Sequence, residues 1–194
     1  MRITGGQARG IPLRLPKGDG VRPATDAMRQ AVFSSIASRV EGSRFLDLFA
    51  GSGAYGLEAL SRGAAGGVWV EKDAKAAACI RQNIEAVCKS MARGVHDLTV
   101  LTLNAAAAPG GTDAVPDLVF IDPPYELIGQ LAPGLFVRLT ELLTSKPDPV
   151  IIFEMPGELT LNPDGWTCVK RLGKGAHQPT VCFFKPDHVP PAPG

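Results

Sequence analysis

The stretch "LDLFAGSGAYGLEAL", residues 46 to 60, constrains the fold more than any other part of the chain. An apolar run ends in a glycine-rich turn and reopens as an apolar helix, with Gly51, Gly53 and Gly56 in the GxGxxG pattern. Such a turn brings the end of a strand close to a ligand and seats the next helix against the sheet. Glu71 follows Gly51 by 20 residues, at the end of the next apolar run, where an acid takes both hydroxyls of a ribose. Around this unit "RFLDLF", "GGVWVEK", "LTVLTL", "DLVFID" and "PVIIFE" read as strands, with "AYGLEALSRG", residues 74–91 and residues 127–144 as helices between them. "WTCVKRL" and "TVCFFKP" read as a closing antiparallel pair. That alternation predicts an α/β fold with a mainly parallel sheet. "TDAMRQAVFSSIASRV" predicts a further helix capped by Thr25, with Met28, Val32, Ile36 and Val40 on one face.

Composition excludes several classes. The 194 residues suit one domain with a full core. No apolar run approaches the roughly 20 residues of a membrane span. The opening "MRITGGQARG" lacks the apolar stretch of a signal peptide, so a cytoplasmic location is expected. Cys79, Cys88, Cys168 and Cys182 form no CxxC pair, and His96, His177 and His188 are scattered, so reduced thiols and no metal site are expected. A net charge of +1 argues against an all-over nucleic-acid coat. Residues 1–40, however, hold seven cations against two acids, a local +5 that leaves −4 for the rest. The expected organisation is a basic arm or hairpin over 1–23 that tracks phosphates or is simply solvated, a domain over 24–185, and a disordered tail over 186–194.

Taken alone, the glycine pattern fits the pyrophosphate of NAD equally well. Asp47 tips the balance, because it lies four residues before Gly51 inside the strand. A carboxylate there repels a pyrophosphate and attracts a cationic end, such as the ammonium of a methionyl group. S-adenosylmethionine (SAM) has that end, a ribose for Glu71, and no phosphate. Asn104 ends "LTLN" and either bonds an adenine edge or caps the following turn.

"VFIDPPYE", residues 119 to 126, places a rigid elbow where a strand leaves the sheet. Pro123 and Pro124 cannot donate to a ladder, and each fixes its own φ. An exocyclic amino nitrogen of a nucleobase is a poor nucleophile, its lone pair being delocalised into the ring. The Asp122 carboxylate and the Pro123 carbonyl could accept its two hydrogens and favour the pyramidal geometry of attack, held in place beforehand by the prolines. Tyr125 supplies a stacking face, worth about 1–3 kcal/mol per base.

With "DLFAGSG" and "IDPPY" the chain resembles class I SAM-dependent methyltransferases acting on amino groups. "RITGGQARGIPLRLP", "VRPATDAMRQAVFSSI", "FAGSGAYGLEALSRGA" and "IDPPY" together resemble the RsmD family of bacterial 16S ribosomal RNA guanine-N2 methyltransferases. The likeness runs from about residue 1 to residue 185. It implies a Rossmann-like fold with a seven-stranded, mainly parallel sheet, one antiparallel edge strand and helices on both faces. It carries SAM binding onto Asp47, Gly51, Ser52, Gly53, Glu71 and Asn104, and base handling onto Asp122, Pro123 and Tyr125. Contact with 16S rRNA, within the 30S particle, falls to the N-terminal segment, with Arg2, Arg9, Arg14, Arg22 and Arg29 as its cations. Tyr55 stands where an aliphatic residue is expected, a departure that would narrow the pocket. The rival readings are a same-fold enzyme acting on DNA adenine, DNA cytosine or a protein amide, and a nicotinamide-dependent oxidoreductase.

Overall fold

A computed structural model of the chain describes residues 1–16, 25–107, 114–173, 175–176 and 178–187. Along it run α1 (Asp26–Ser35), α2 (Ala37–Val40), β1 (Arg44–Leu48), α3 (Ala54–Ser61), β2 (Gly66–Val70), α4 (Ala74–Ser90), β3 (Leu98–Leu101), β4 (Leu118–Ile121), α5 (Ile128–Leu143), β5 (Val150–Pro156), β6 (Trp166–Leu172) and β7 (Pro179–Pro186). Local chemistry sets the helix ends. The Thr25 hydroxyl accepts the Met28 N–H at 3.2 Å, and Asp73 accepts that of Ala76 at 2.8 Å. The helix expected to run on to Val40 breaks at Ile36. There the Ser35 hydroxyl donates back to the Ala31 carbonyl at 2.9 Å, a bond of the kind that bends helices.

The strands form one sheet in the order β3-β2-β1-β4-β5-β7-β6. Strands β1 to β5 are parallel, and β7 runs against both β5 and β6. The reversed strand therefore lies one place inside the edge, and β6 is the edge. Burial explains the order. β7 is buried on both faces over Thr180–Phe184, whereas Thr167–Arg171 of β6 are exposed and include charges that suit an unpaired edge.

Chain order reverses between β1 and β4, the two strands that carry the glycine loop and the elbow at their C-terminal ends. Open α/β sheets bind ligands at such a switch point. Phe45, Trp69, Phe120 and Ile152 face a core covered by α1 to α4, while Leu48, Val70, Ile121 and Phe153 face α5.

The opening segment is a hairpin built into the domain. Arg2 bridges Pro12, and Ile3, Ala8 and Leu13 are buried in the larger core. Side chains of α3 satisfy its backbone: Glu58 accepts the Thr4 N–H at 2.6 Å, and Ser61 Oγ accepts that of Ala8 at 2.9 Å. The segment expected from sequence to be an arm thus contributes Ile3, Ala8 and Leu13 to the core. The rest of the predicted arm, residues 17–23, and residues 188–194 of the predicted tail lie outside the described residues.

Candidate active site

The loop after β1 is folded by left-handed residues: Phe49 (φ 59°), Gly51 (φ 55°) and Gly53 (φ 79°). A phenylalanine in that region is strained, and such strain gathers at functional loops. Gly56 serves packing. A Cβ there would lie 2.6 Å from the Phe45 ring, so α3 rests directly on the sheet while the Trp69 indole N–H donates to the Gly53 carbonyl at 3.1 Å. Glu71 stands at the loop mouth, where Oε2 accepts the Gly51 N–H and Oε1 the Asp73 N–H, both at 2.9 Å. Ser52 is buried, its hydroxyl on the Met1 sulfur at 3.6 Å and its carbonyl accepting from Asn83 at 2.9 Å. Asn104 is exposed, and its Oδ1 accepts the Ala106 N–H at 3.0 Å. Of its two sequence readings, the turn cap is the bond that forms.

Asp47 is only 2% exposed, and its Oδ2 accepts the Gly56 N–H at 2.9 Å. Burial pushes its pKa up to about 8, against that hydrogen bond and with help from the charge of Glu71. Asp122 ends β4 beside it. Burial, then Glu154, then Asp47 hold its carboxyl well above the usual carboxylate range. Pro123 is buried behind it, while Tyr125 is 39% exposed at the head of a single helical turn, Tyr125–Leu127. The glycine loop and the elbow thus meet at one rim, and that rim is rich in acid.

Sequence reasoning missed Glu154, on β5 and 3% exposed. Its carboxylate accepts the Tyr55 hydroxyl at 2.9 Å, and burial raises its pKa against the opposing influence of Tyr55, Tyr125 and Arg29. The signal was present: "PVIIFE" ends an apolar strand in an acid at the same rim as Asp122. Tyr55 itself stacks on Phe120 (5.3 Å, 11°) and reaches over β4 to β5. The residue read as a narrowing of the cofactor pocket is a strut beneath the elbow.

The arginines divide. Arg2, Arg9 and Arg14 are exposed on the hairpin, and Arg22 lies outside the described residues. Arg29 cannot meet RNA as predicted, because it is 0% exposed. Its Nη2 donates to the Arg2 carbonyl and to Asp26, each at 2.7 Å, and its Nε lies 3.6 Å from Glu58. Helical spacing explains the difference: Arg29 follows Asp26 by three positions and shares the inward face with Val32 and Phe33.

Comparison with known proteins places this site in a family. Residues 1–184 match the model of the family described as conserved hypothetical protein 95. Ribosomal RNA small subunit methyltransferase D of Escherichia coli K12 is 38% identical over 125 residues, which span 64% of this chain and 60% of that protein. The Haemophilus influenzae protein of the same name is 30% identical over 90% of this chain and 89% of its own length. Among solved structures, yhhF of Escherichia coli, described as a candidate methyltransferase, matches with a TM-score of 0.74 and 30% identity over 96% of this chain and 97% of its own. The sheet, the glycine loop and the likeness to these proteins give a Rossmann-like class I methyltransferase fold, and the chain belongs to the RsmD family, the family of the ribosomal RNA small subunit methyltransferase D proteins.

Proposed function

We propose that the chain transfers a methyl group from SAM to the exocyclic N2 of a guanine in 16S rRNA, with the 30S particle as the substrate form. One observation carries the reading. The Asp-Pro-Pro-Tyr elbow stands beside the glycine loop at the switch point, on strands paired from Phe45 with Leu118 to Leu48 with Ile121.

The residues fit a cationic nucleoside. Burial and neighbouring acids raise the pKa of Asp47 and Asp122 in the unliganded protein, so a bound cation favours the carboxylate form of each, the form in which Asp122 accepts a proton. The same acids disfavour the pyrophosphate of NAD. Glu71 is oriented by two backbone N–H groups at the position that takes ribose hydroxyls. When bound, SAM supplies an electrophilic methyl group on a sulfonium.

The chain's own part is acceptance and positioning. Asp122 and the Pro123 carbonyl accept the two hydrogens of the guanine amino group, which turns its lone pair toward the methyl carbon. As the N–C bond forms and the C–S bond breaks, one proton leaves the nitrogen, and Asp122 is placed to take it. Tyr125 offers its exposed ring to the base. Arg2, Arg9 and Arg14 offer charge to the RNA backbone, and the small-subunit rRNA in the names of the relatives supports that choice of substrate.

The test is calorimetry with SAM, S-adenosylhomocysteine and NAD. It is followed by incubation of labelled SAM with 30S particles, naked 16S rRNA or DNA, then digestion to nucleosides. Tight binding of SAM and label in N2-methylguanosine are expected. Preferential NAD binding, or label in a DNA base, would overturn the reading.

A further inference from the structure

We propose that the outer face of α4 is a second RNA-binding surface. Lys75 and Lys89, with Arg14 seated between them on Gln82, hold the sugar-phosphate backbone of the substrate. The surface rests on the proposed function, which supplies the RNA. Helix geometry lines these side chains up. Lys75, Gln82 and Lys89 recur every seven residues and are all exposed. A seven-residue step drifts by only about 20° around a helix, so the three share one face. At 1.5 Å per residue the stripe is about 21 Å long.

One end of the stripe is at the rim. Lys75 lies in the first turn of α4, four residues after Glu71 at the mouth of the glycine loop. An RNA whose target base enters there can continue along the helix without leaving the protein. Ala78 and Ala86, four positions before and after Gln82, are exposed and too short to stand in its way. Arg81 turns aside toward β3, where it donates to the Val100 carbonyl at 3.2 Å.

Charge is what the stripe offers. Along α4, Lys75, Arg81 and Lys89 stand against the single acid Glu85. The hairpin adds a cation in the middle: the Arg14 backbone is clamped by Asn83, and its Nη1 donates to Gln82 Oε1 at 3.0 Å. A neutral amide fixes the guanidinium and leaves its charge uncancelled. Among the described residues, none of Arg14, Lys75 and Lys89 forms an ion pair. Lys75 also stands against local preference. A cation in the first turn opposes the helix dipole, and that turn holds no acid to balance it. A phosphate supplies the missing charge.

Filter binding to 30S particles and to naked 16S rRNA over a salt series tests the surface. Lys75→Ala and Lys89→Ala should each flatten the slope of log affinity against log salt by about 0.7 to 0.9, and the double variant by the sum. Gln82→Glu keeps Arg14 but turns its partner into a carboxylate, so it should cost about one more phosphate contact. Lys170→Ala removes an exposed cation from β6, at the opposite edge of the sheet from β3, and should leave the slope unchanged. All four variants should fold and bind SAM as wild type does. Unchanged slopes in the two α4 lysine variants, or an equal loss in Lys170→Ala, overturn the surface. If wild type methylates 30S particles and the α4 variants bind them as it does, the surface fails and the function stands. If wild type transfers no methyl group, the functional reading fails, and the slopes on 16S rRNA still decide whether α4 holds RNA.

Discussion

Asn83 of α4 holds Arg14 by both of its backbone groups. Oδ1 accepts the Arg14 N–H at 2.8 Å, and Nδ2 donates to the Arg14 carbonyl at 3.0 Å. The same Nδ2 donates to the carbonyl of Ser52 in the glycine loop at 2.9 Å. The N-terminal hairpin and the loop assigned to the cofactor therefore share one buried amide, although 38 residues separate Arg14 from Ser52 in sequence. Asn83→Ala would strip the Ser52 carbonyl and the Arg14 N–H of these partners and leave the Arg14 carbonyl with the Cys79 thiol, 3.2 Å away. We expect a loss of stability of about 1–3 kcal/mol per stranded group at most, together with weaker SAM binding. Thermal unfolding and calorimetry on one sample check both, and an unchanged SAM affinity would contradict the link.

Side-chain charge on the hairpin can be removed without touching that anchor. Replacing Arg2, Arg9 and Arg14 with alanine should preserve the fold and flatten the slope of log affinity against log salt by about 2 to 3 units, if each meets one phosphate. Filter binding to 30S particles over a salt series reads this. An unchanged slope would return the hairpin to a solvated surface.

Arg29→Ala should behave in the opposite way. It strips a fully buried cation from Glu58 and Asp26, so the expected loss is about 3–5 kcal/mol of stability, with no specific change in the salt slope of whatever folds. Denaturant unfolding decides; a stable variant with weakened RNA binding would restore the sequence reading of this arginine.

Asp47 gives a pH prediction with a definite sign. Its pKa rises from 3.8 to about 8 on folding, so the folded state holds the proton more tightly than the unfolded chain. The stabilisation is complete below the unfolded value and is lost as pH rises through the folded one. The unliganded protein should therefore lose thermal stability as pH rises from about 4 to about 8, and Asp47→Asn should flatten that decline without abolishing it, since Asp122 and Glu154 are raised in the same sense. A cationic ligand reverses the preference, so SAM affinity should increase with pH over the same window. A Tm that rises with pH in wild type would contradict the burial of Asp47.

Much of this was legible in the residues. The parallel strands follow from apolar runs spaced by helical periods, and Thr25 announces its cap by residue type. The GxGxxG spacing located a loop whose first two glycines do adopt positive φ. What sequence could not supply was which side chains meet across elements. Arg29 looks like any cation of a basic segment until Asp26 and Glu58 close around it. Tyr55 and Glu154 are 99 positions apart, and only the order of β1, β4 and β5 brings them within one hydrogen bond. The hairpin was misplaced for a related reason: three apolar residues in a Gly- and Arg-rich stretch give a weak pattern, and their burial depends on α3 presenting Ser61 and Glu58 to the backbone.

The most direct test of the central claim compares wild type with Asp122→Ala in labelled methyl transfer to 30S particles, scored as N2-methylguanosine after digestion, beside the SAM affinity of each protein. Asp122 is assigned to the substrate amine and not to the cofactor, so the variant should bind SAM nearly as wild type does and lose most of its transfer. Normal turnover by Asp122→Ala would contradict the chemistry assigned to the elbow, and a wild type that labels no N2-methylguanosine would contradict the function.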